Sequence, residues 1–206
     1  ESLQLFAERI GISKADNNIY MSVLEDCIRE DLDAKAPRAM AVLRPLKVVL
    51  LNWPEDQEEE LDAPVHQQFP DRGRRPIPMS REIFIEEDDF DEDPPEGFHR
   101  LVPDGEVRLR NAYVIRCEEV IKDASGKVIE LRCIYDPNTG RGRKPEGRKV
   151  KGIIHWVSAA HAVPAEVRLY DRLFSQPTPG SDHPDKNFLL DLNPNSMDIL
   201  SQAWLE

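Results

Sequence analysis

The chain has 206 residues, enough for one large or two small domains, and its 40% hydrophobic residues can fill real cores. Seven per cent aromatic residues and seventeen prolines fit a turn-rich protein of short strands better than a helix bundle. The formal net charge of −12 hides an uneven distribution: residues 99–172 carry 15 Lys and Arg against 10 Asp and Glu, net +5, which leaves −17 on the remainder. A phosphate backbone responds to local potential, so this asymmetry is more informative than the total. No run approaches membrane-spanning length, and no basic-plus-apolar leader opens the chain. With Glu1 in place of an initiator Met, the expectation is a piece of something longer. Three widely spaced cysteines, Cys27, Cys117 and Cys133, are expected as buried reduced thiols of a cytoplasmic protein, with no zinc site or disulfide framework.

In chain order, Leu3, Leu5, Phe6 and Ile10 predict a short helix stopped at Gly11. Ser13 to Asp16 has the shape of a capping box, and Ile19, Val23, Cys27 and Ile28 recur at helical spacing, which predicts a second helix over about 17–33. Its N-terminus would be a mild anion site, where Lys14 either touches a phosphate or is simply solvated. Pro37 ends that helix, and residues 38–51 read as extended, with Pro45 marking an edge or a bend. Residues 55–62 read as a solvated acidic loop and 66–78 as a polar loop, followed by a short strand at 82–85. Eight of the eleven residues from Glu86 to Glu96 are acidic, so that run is expected to lie away from any RNA or to repel wrong docking. Neither acidic stretch has the spacing of a calcium loop, so no metal site is expected.

Residues 106–117 alternate with period two. Val107, Leu109, Tyr113, Ile115 and Cys117 share one parity, and Arg108, Arg110, Ala112, Val114 and Arg116 share the other. That pattern predicts one half-buried strand whose outer face carries guanidinium groups, suited to a polyanion or a carboxylate-rich partner. An ordinary surface strand, its arginines paired with Glu106, Glu118 and Glu119, fits the charges equally well. Residues 122–127 signal a hairpin with a return strand at 128–135. Residues 136–148 read as a flexible basic loop with incidental RNA contact, further strands follow at 150–157 and 166–170, and strand or turn pieces at 187–192 and 197–205. Two helices followed by many short, evenly spaced strands point to barrels.

No nucleophile elbow, phosphate loop or dinucleotide fingerprint is present, and His155 and His161 sit in and just after a strand with no nucleophile motif beside them. The residues read as a binding module without an active site of its own.

Several blocks carry a resemblance. Ala36-Pro-Arg-Ala-Met-Ala-Val42, Val107-Arg-Leu-Arg-Asn-Ala-Tyr-Val-Ile115 and Arg148 to His161 resemble the C-terminal half of the glutaminyl-tRNA synthetases, as do Ile28 to Leu32 and Val167 to Phe174. The resemblance runs through nearly the whole chain in order. It implies a mainly β fold, two β-barrels of the ribosomal-protein-like anticodon-binding kind preceded by a short α-helical region. The implied division is a helical connector at 1–35, a proximal barrel from 36–96 with 175–206, and a distal barrel at 97–174. It also implies a parent ligase that joins glutamine to tRNA(Gln) with ATP and Mg, whose catalytic domain lies upstream, while this segment itself holds no cofactor and no catalytic residue. The implied partners are the anticodon loop and that upstream domain, with no membrane.

Carried over motif by motif, Arg38 would contact the middle anticodon base and Arg100 the third. Arg108 and Arg110 would serve the first base and its phosphates, and Lys14 the inner face of the tRNA. His99 departs from the family pattern, which has a lysine there, and Gln68 is a further candidate in a loop of uncertain alignment. Three other readings are a glutamyl-tRNA synthetase of the β-barrel type, a non-enzymatic RNA-binding barrel and a purely structural module.

Overall fold

The computed structural model describes residues 1–14 and 17–206, so part of the expected capping box, residues 15 and 16, lies outside the described residues. Helix α1 (Ser2–Ile10) ends at Gly11, whose φ of 68° suits glycine. Helix α2 runs Met21–Lys35, four residues later than expected at its start, with Tyr20 as its N-cap and no side-chain capping bond. Lys14 therefore stands seven residues before the helix rather than at its N-terminus.

The two helices are tied by Ser2 Oγ donating to Asp31 at 2.6 Å and by an Arg9–Glu30 pair at 2.8 Å. The helices bury little: Cys27 is their one buried side chain, while Leu3, Ile12, Tyr20, Met21 and Leu32 are more than half exposed.

Among the described residues twelve strands follow: β1 (Ala41–Val42), β2 (Pro45–Leu50), β3 (Glu59–Pro64), β4 (Arg74–Met79), β5 (Glu82–Glu86), β6 (Glu106–Leu109), β7 (Val114–Lys122), β8 (Val128–Asp136), β9 (Ile153–Ile154), β10 (Val157–Ser158), β11 (Val163–Tyr170) and β12 (Met197–Leu205). The chain is mainly β with a short helical lead, as expected. Several expectations change: besides the later start of α2, the single strand expected at 150–157 is the separate strands β9 and β10, and residues 188–191 form a short 3-10 helix. The loops at 55–62 and 66–78 contain the β3–β4 hairpin, whose Leu61, Ala63, Ile77 and Met79 are buried. The single strand at 106–117 is a hairpin, β6 and β7, turning through Arg110 to Tyr113 with Asn111 at φ 60°. The alternation survives on both sides of the turn, because Val107 and Ile115 are direct cross-strand partners facing the core.

Seven strands form one sheet in the order β10-β5-β2-β8-β7-β6-β9, and β1-β12-β11 form a second. Strand pairing thus groups β2 and β5, from 36–96, with β6 to β10, while only β1 from that segment pairs with β12. The seven-stranded sheet curls, and its two edges are consecutive in sequence. Between β9 and β10 stand only His155 and Trp156, a span of at most about 11 Å. The seam is filled by Trp156, which is fully buried and donates from Nε1 to the Arg110 carbonyl at 3.0 Å. Inside the curl, Val48, Leu50, Ile83, Ile85, Leu131 and Cys133 pack with Val107, Leu109 and Ile115. Cys27, Cys117 and Cys133 are free buried thiols. No described helix is long and apolar enough to cross a membrane.

Replacing the seam residue tests this closure. Trp156→Phe keeps an aromatic ring but leaves the Arg110 carbonyl without its donor, a loss of roughly 1–3 kcal/mol. The urea midpoint should fall accordingly; an unchanged midpoint would mean that the indole bond adds nothing net.

Candidate nucleic-acid interface

Three adjoining clefts run across the seam. The first, about 500 Å³, is lined by Arg38, Gln68, Arg75, Arg110, Asn111 and His155 among others. The second, about 370 Å³, shares Arg110 and His155 with the first and adds Arg44, Asp89 and Arg100. The third, about 480 Å³, shares Arg100 with the second and adds His99, Arg116, Lys149 and Lys151. The structure therefore brings Arg38, Gln68, Arg110, Arg100 and His99 into one groove. Lys14 is exposed in the link after α1 and lines none of the three.

Each side chain is held differently. Arg110 has its backbone fixed on both sides, its N–H donating to Ile154 O at 2.8 Å and its carbonyl accepting from Trp156. Its guanidinium has no hydrogen-bond or ion-pair partner among the described residues. Arg38 is half exposed and paired with Asp33 near the end of α2. A surface pair of that kind is worth about 0–1 kcal/mol, so a nucleotide can displace it.

Gln68 sits in a loop pinned by buried His66. The Gln68 N–H donates to His66 Nδ1 at 3.2 Å, which leaves Nε2 protonated to donate to the Asp33 carbonyl at 2.7 Å. Arg72 donates to the Ala34 and Lys35 carbonyls, so the C-terminal carbonyls of α2 are capped from the same loop.

Arg100 donates from Nη1 to Asp89 Oδ1 at 2.5 Å and to the Asp88 carbonyl at 3.3 Å, and its Nη2 and Nε have no partner among the described residues. Asp89 is buried, and its second oxygen has no partner. Burial pushes the Asp89 carboxyl above the ordinary aspartate range, and the half-exposed Arg100 and His155 only partly offset this. His99 is exposed, and its carbonyl lies so close to Gly152 that a Cβ there would stand 2.0 Å away. Only glycine at 152 lets the third cleft keep this shape.

Arg108 differs from the others. Its guanidinium donates to the carbonyls of Ala112 at 3.1 Å, Thr139 at 2.9 Å and Arg143 at 2.5 Å, and burial draws its pKa below the ordinary arginine value. It lines none of the three clefts.

The acidic run at 86–96 is not kept away from the groove: Glu86, Asp88 and Asp89 line the second cleft beside Arg100 and Arg110. Glu86 accepts from the N–H groups of Leu43 and Arg44 at 2.6 and 2.9 Å, while Glu87 and Glu92 pair with Lys127 and Lys122. The run acts as a local counter-charge that orients cations. His155 is partly exposed at the seam and lines two clefts, with Nε2 3.5 Å from Glu86. Its position between two two-residue strands was not visible in the sequence pattern.

Residues 36–136 match the family model of the class I (E and Q) tRNA synthetase anticodon-binding domain, and residues 153–206 match a second model of the same description. The chain belongs to this family. Glutamine–tRNA ligase of Pseudomonas putida is 56% identical over 205 residues, all of this chain and 36% of the relative. Glutamine–tRNA ligase of Cupriavidus metallidurans is 56% identical over 207 residues, and that of Bradyrhizobium diazoefficiens 52% over 205. The chain spans about a third of the length of these relatives, 35–36%.

The Asp89 carboxyl supplies a pH test of this geometry. Its folded-state pKa lies above the unfolded value of about 3.9, so its stabilising contribution is present below that value and is lost as pH rises through the folded pKa. Asp89→Asn should remove that loss. Urea midpoints of the two proteins should agree in acid, with the variant higher at neutral pH. A lower midpoint for the variant at neutral pH would show that the Arg100 pair outweighs burial.

Proposed function

We propose that this chain reads the anticodon loop of tRNA(Gln) as the C-terminal part of a glutamine–tRNA ligase. The observation that carries the reading is the groove itself, three joined clefts with Arg38, Arg110 and Arg100 distributed along them. Splayed anticodon bases present Watson–Crick edges, and a guanidinium fork can donate to such an edge at two points. Arg110 is fixed at the backbone and unpaired at the tip, which suits base readout. Arg100 is anchored through one nitrogen with the other two left over. Gln68 adds an amide at the first cleft, and His99 flanks the third.

The parent enzyme would supply ATP-dependent class I chemistry, with Mg, from its upstream catalytic domain, and would act in the cytoplasm. The unpartnered apolar side chains of α1 and α2 support a connector that packs against the remainder of such an enzyme. The names of the relatives favour glutamine over glutamate as the amino acid. We infer that the two barrels of the family are here built on the seven-stranded sheet and on the three-stranded sheet β1-β12-β11, with β3–β4 as a separate two-stranded sheet, in place of a division into 97–174 and 36–96 with 175–206. Lys14, exposed on the link between the helices, remains the proposed contact to the inner face of the tRNA.

The test is binding of glutamine and glutamate tRNAs carrying anticodon variants to the full-length protein and to its Arg110→Gln form. Discrimination at the first anticodon base should fall by about 1–3 kcal/mol, roughly 5- to 150-fold. Uniform weakening across all variants with a shallower salt dependence would mean that Arg110 touches only phosphate.

A further inference from the structure

The segment 141–151 holds six basic residues and one acid, Glu146. Arg148 alone among the six is paired, and it takes both nearby carboxylates: Nε lies 2.8 Å from Glu106 and Nη2 2.7 Å from Asp136. Arg141, Arg143, Lys144, Lys149 and Lys151 are exposed and have no carboxylate partner among the described residues. That is unusual in this chain, where surface cations from Arg9 to Arg172 repeatedly stand against an acid.

The segment is also held in place. Asp136 accepts from the Asn138 N–H at 3.0 Å, and the Thr139 hydroxyl donates to the Asp136 carbonyl at 2.7 Å while accepting from Val114 N–H at 2.9 Å. Gly140 lies against the Tyr113 ring so closely that a Cβ would meet Cε1 at 2.6 Å. The Arg108 guanidinium then ties the Thr139 and Arg143 carbonyls to the β6–β7 turn. At the other end, Lys149 and Lys151 line the third cleft with His99 and Arg100.

We propose that Arg141, Arg143, Lys144, Lys149 and Lys151 form a phosphate-binding strip along the flank of the groove, for the ribose-phosphate backbone of the RNA whose bases occupy the clefts. Arg108 is a positioning residue for this strip and does not itself touch RNA. The inference rests on the anticodon reading and deepens it. An unpaired cation releases condensed counterions when it meets a phosphate, whereas one already paired with a carboxylate must first exchange that partner. The strip therefore carries the salt-dependent, base-independent share of binding, and Arg38, Arg100 and Arg110 carry the base-dependent share.

The experiment is filter binding of tRNA(Gln) and its anticodon variants by the full-length protein over a salt series. Two exposed-residue variants are compared with the unmodified protein, R141Q/R143Q/K144Q and K149Q/K151Q. Each lost phosphate contact lowers the slope of log affinity against log salt by about 0.7 on a single strand, so the triple variant should be shallower by about 2. The double variant should be shallower by about 1.4 on the same basis. Both should keep the unmodified preference among anticodons. Unmodified slopes in both variants would overturn the strip, and so would a shallower slope accompanied by lost base preference. No anticodon preference in the unmodified protein would instead sink the anticodon reading.

Discussion

The groove depends on how the seven-stranded sheet closes. Its edge strands β9 and β10 are joined by two residues, so the curl is completed by covalent chain, and Trp156 fills the gap that hydrogen bonds do not. The same indole fixes the carbonyl of Arg110, and β9 fixes its N–H. A long side chain on a pinned backbone loses less freedom on binding than one on a mobile loop, which suits the base-reading role proposed for Arg110. His155, beside Trp156, is turned by the same constraint to the outer side of the seam, between two clefts.

Charge is distributed to match. A chain of net charge −12 binds a polyanion only if its cations are sorted by partner. Arg148 absorbs Glu106 and Asp136, Glu86 is engaged by backbone N–H groups, and Asp89 holds one nitrogen of Arg100 at the cost of its own burial. Among the described residues near the groove, Arg110, Arg141, Arg143, Lys144, Lys149 and Lys151 have no carboxylate partner. The acids therefore organise the site. Within the run at 86–96, Glu86, Glu87, Asp89 and Glu92 each face a specific donor.

The sequence carried the class of fold and the parity of the core well, because period-two alternation reflects burial directly: Val107, Leu109, Tyr113, Ile115 and Cys117 are all buried. It did not reveal the turn inside that pattern. Alternation continues across a tight turn, and Asn111, a residue that tolerates positive φ, was the available signal. The β3–β4 hairpin was hidden by prolines and acids, although Leu61-Asp-Ala63 and Ile77-Pro-Met79 alternate. The start of α2 was misplaced because apolar residues such as Ile19 sit exposed in the link before it. Arg108 and Arg110 are two positions apart on one parity, and periodicity gives them one role. The turn after Leu109 separates them, folding Arg108 back onto three carbonyls and leaving Arg110 open. Which cation is already paired is a property of the fold that no local pattern encodes.

The most direct measurement is NMR of the arginine Nε–H groups while an anticodon stem-loop of tRNA(Gln) is titrated into the protein. The account predicts that Arg110 and Arg100 shift on binding and that the Arg108 resonance, held by backbone carbonyls, stays where it is. A shift of Arg108 with Arg110 and Arg100 unmoved would contradict it.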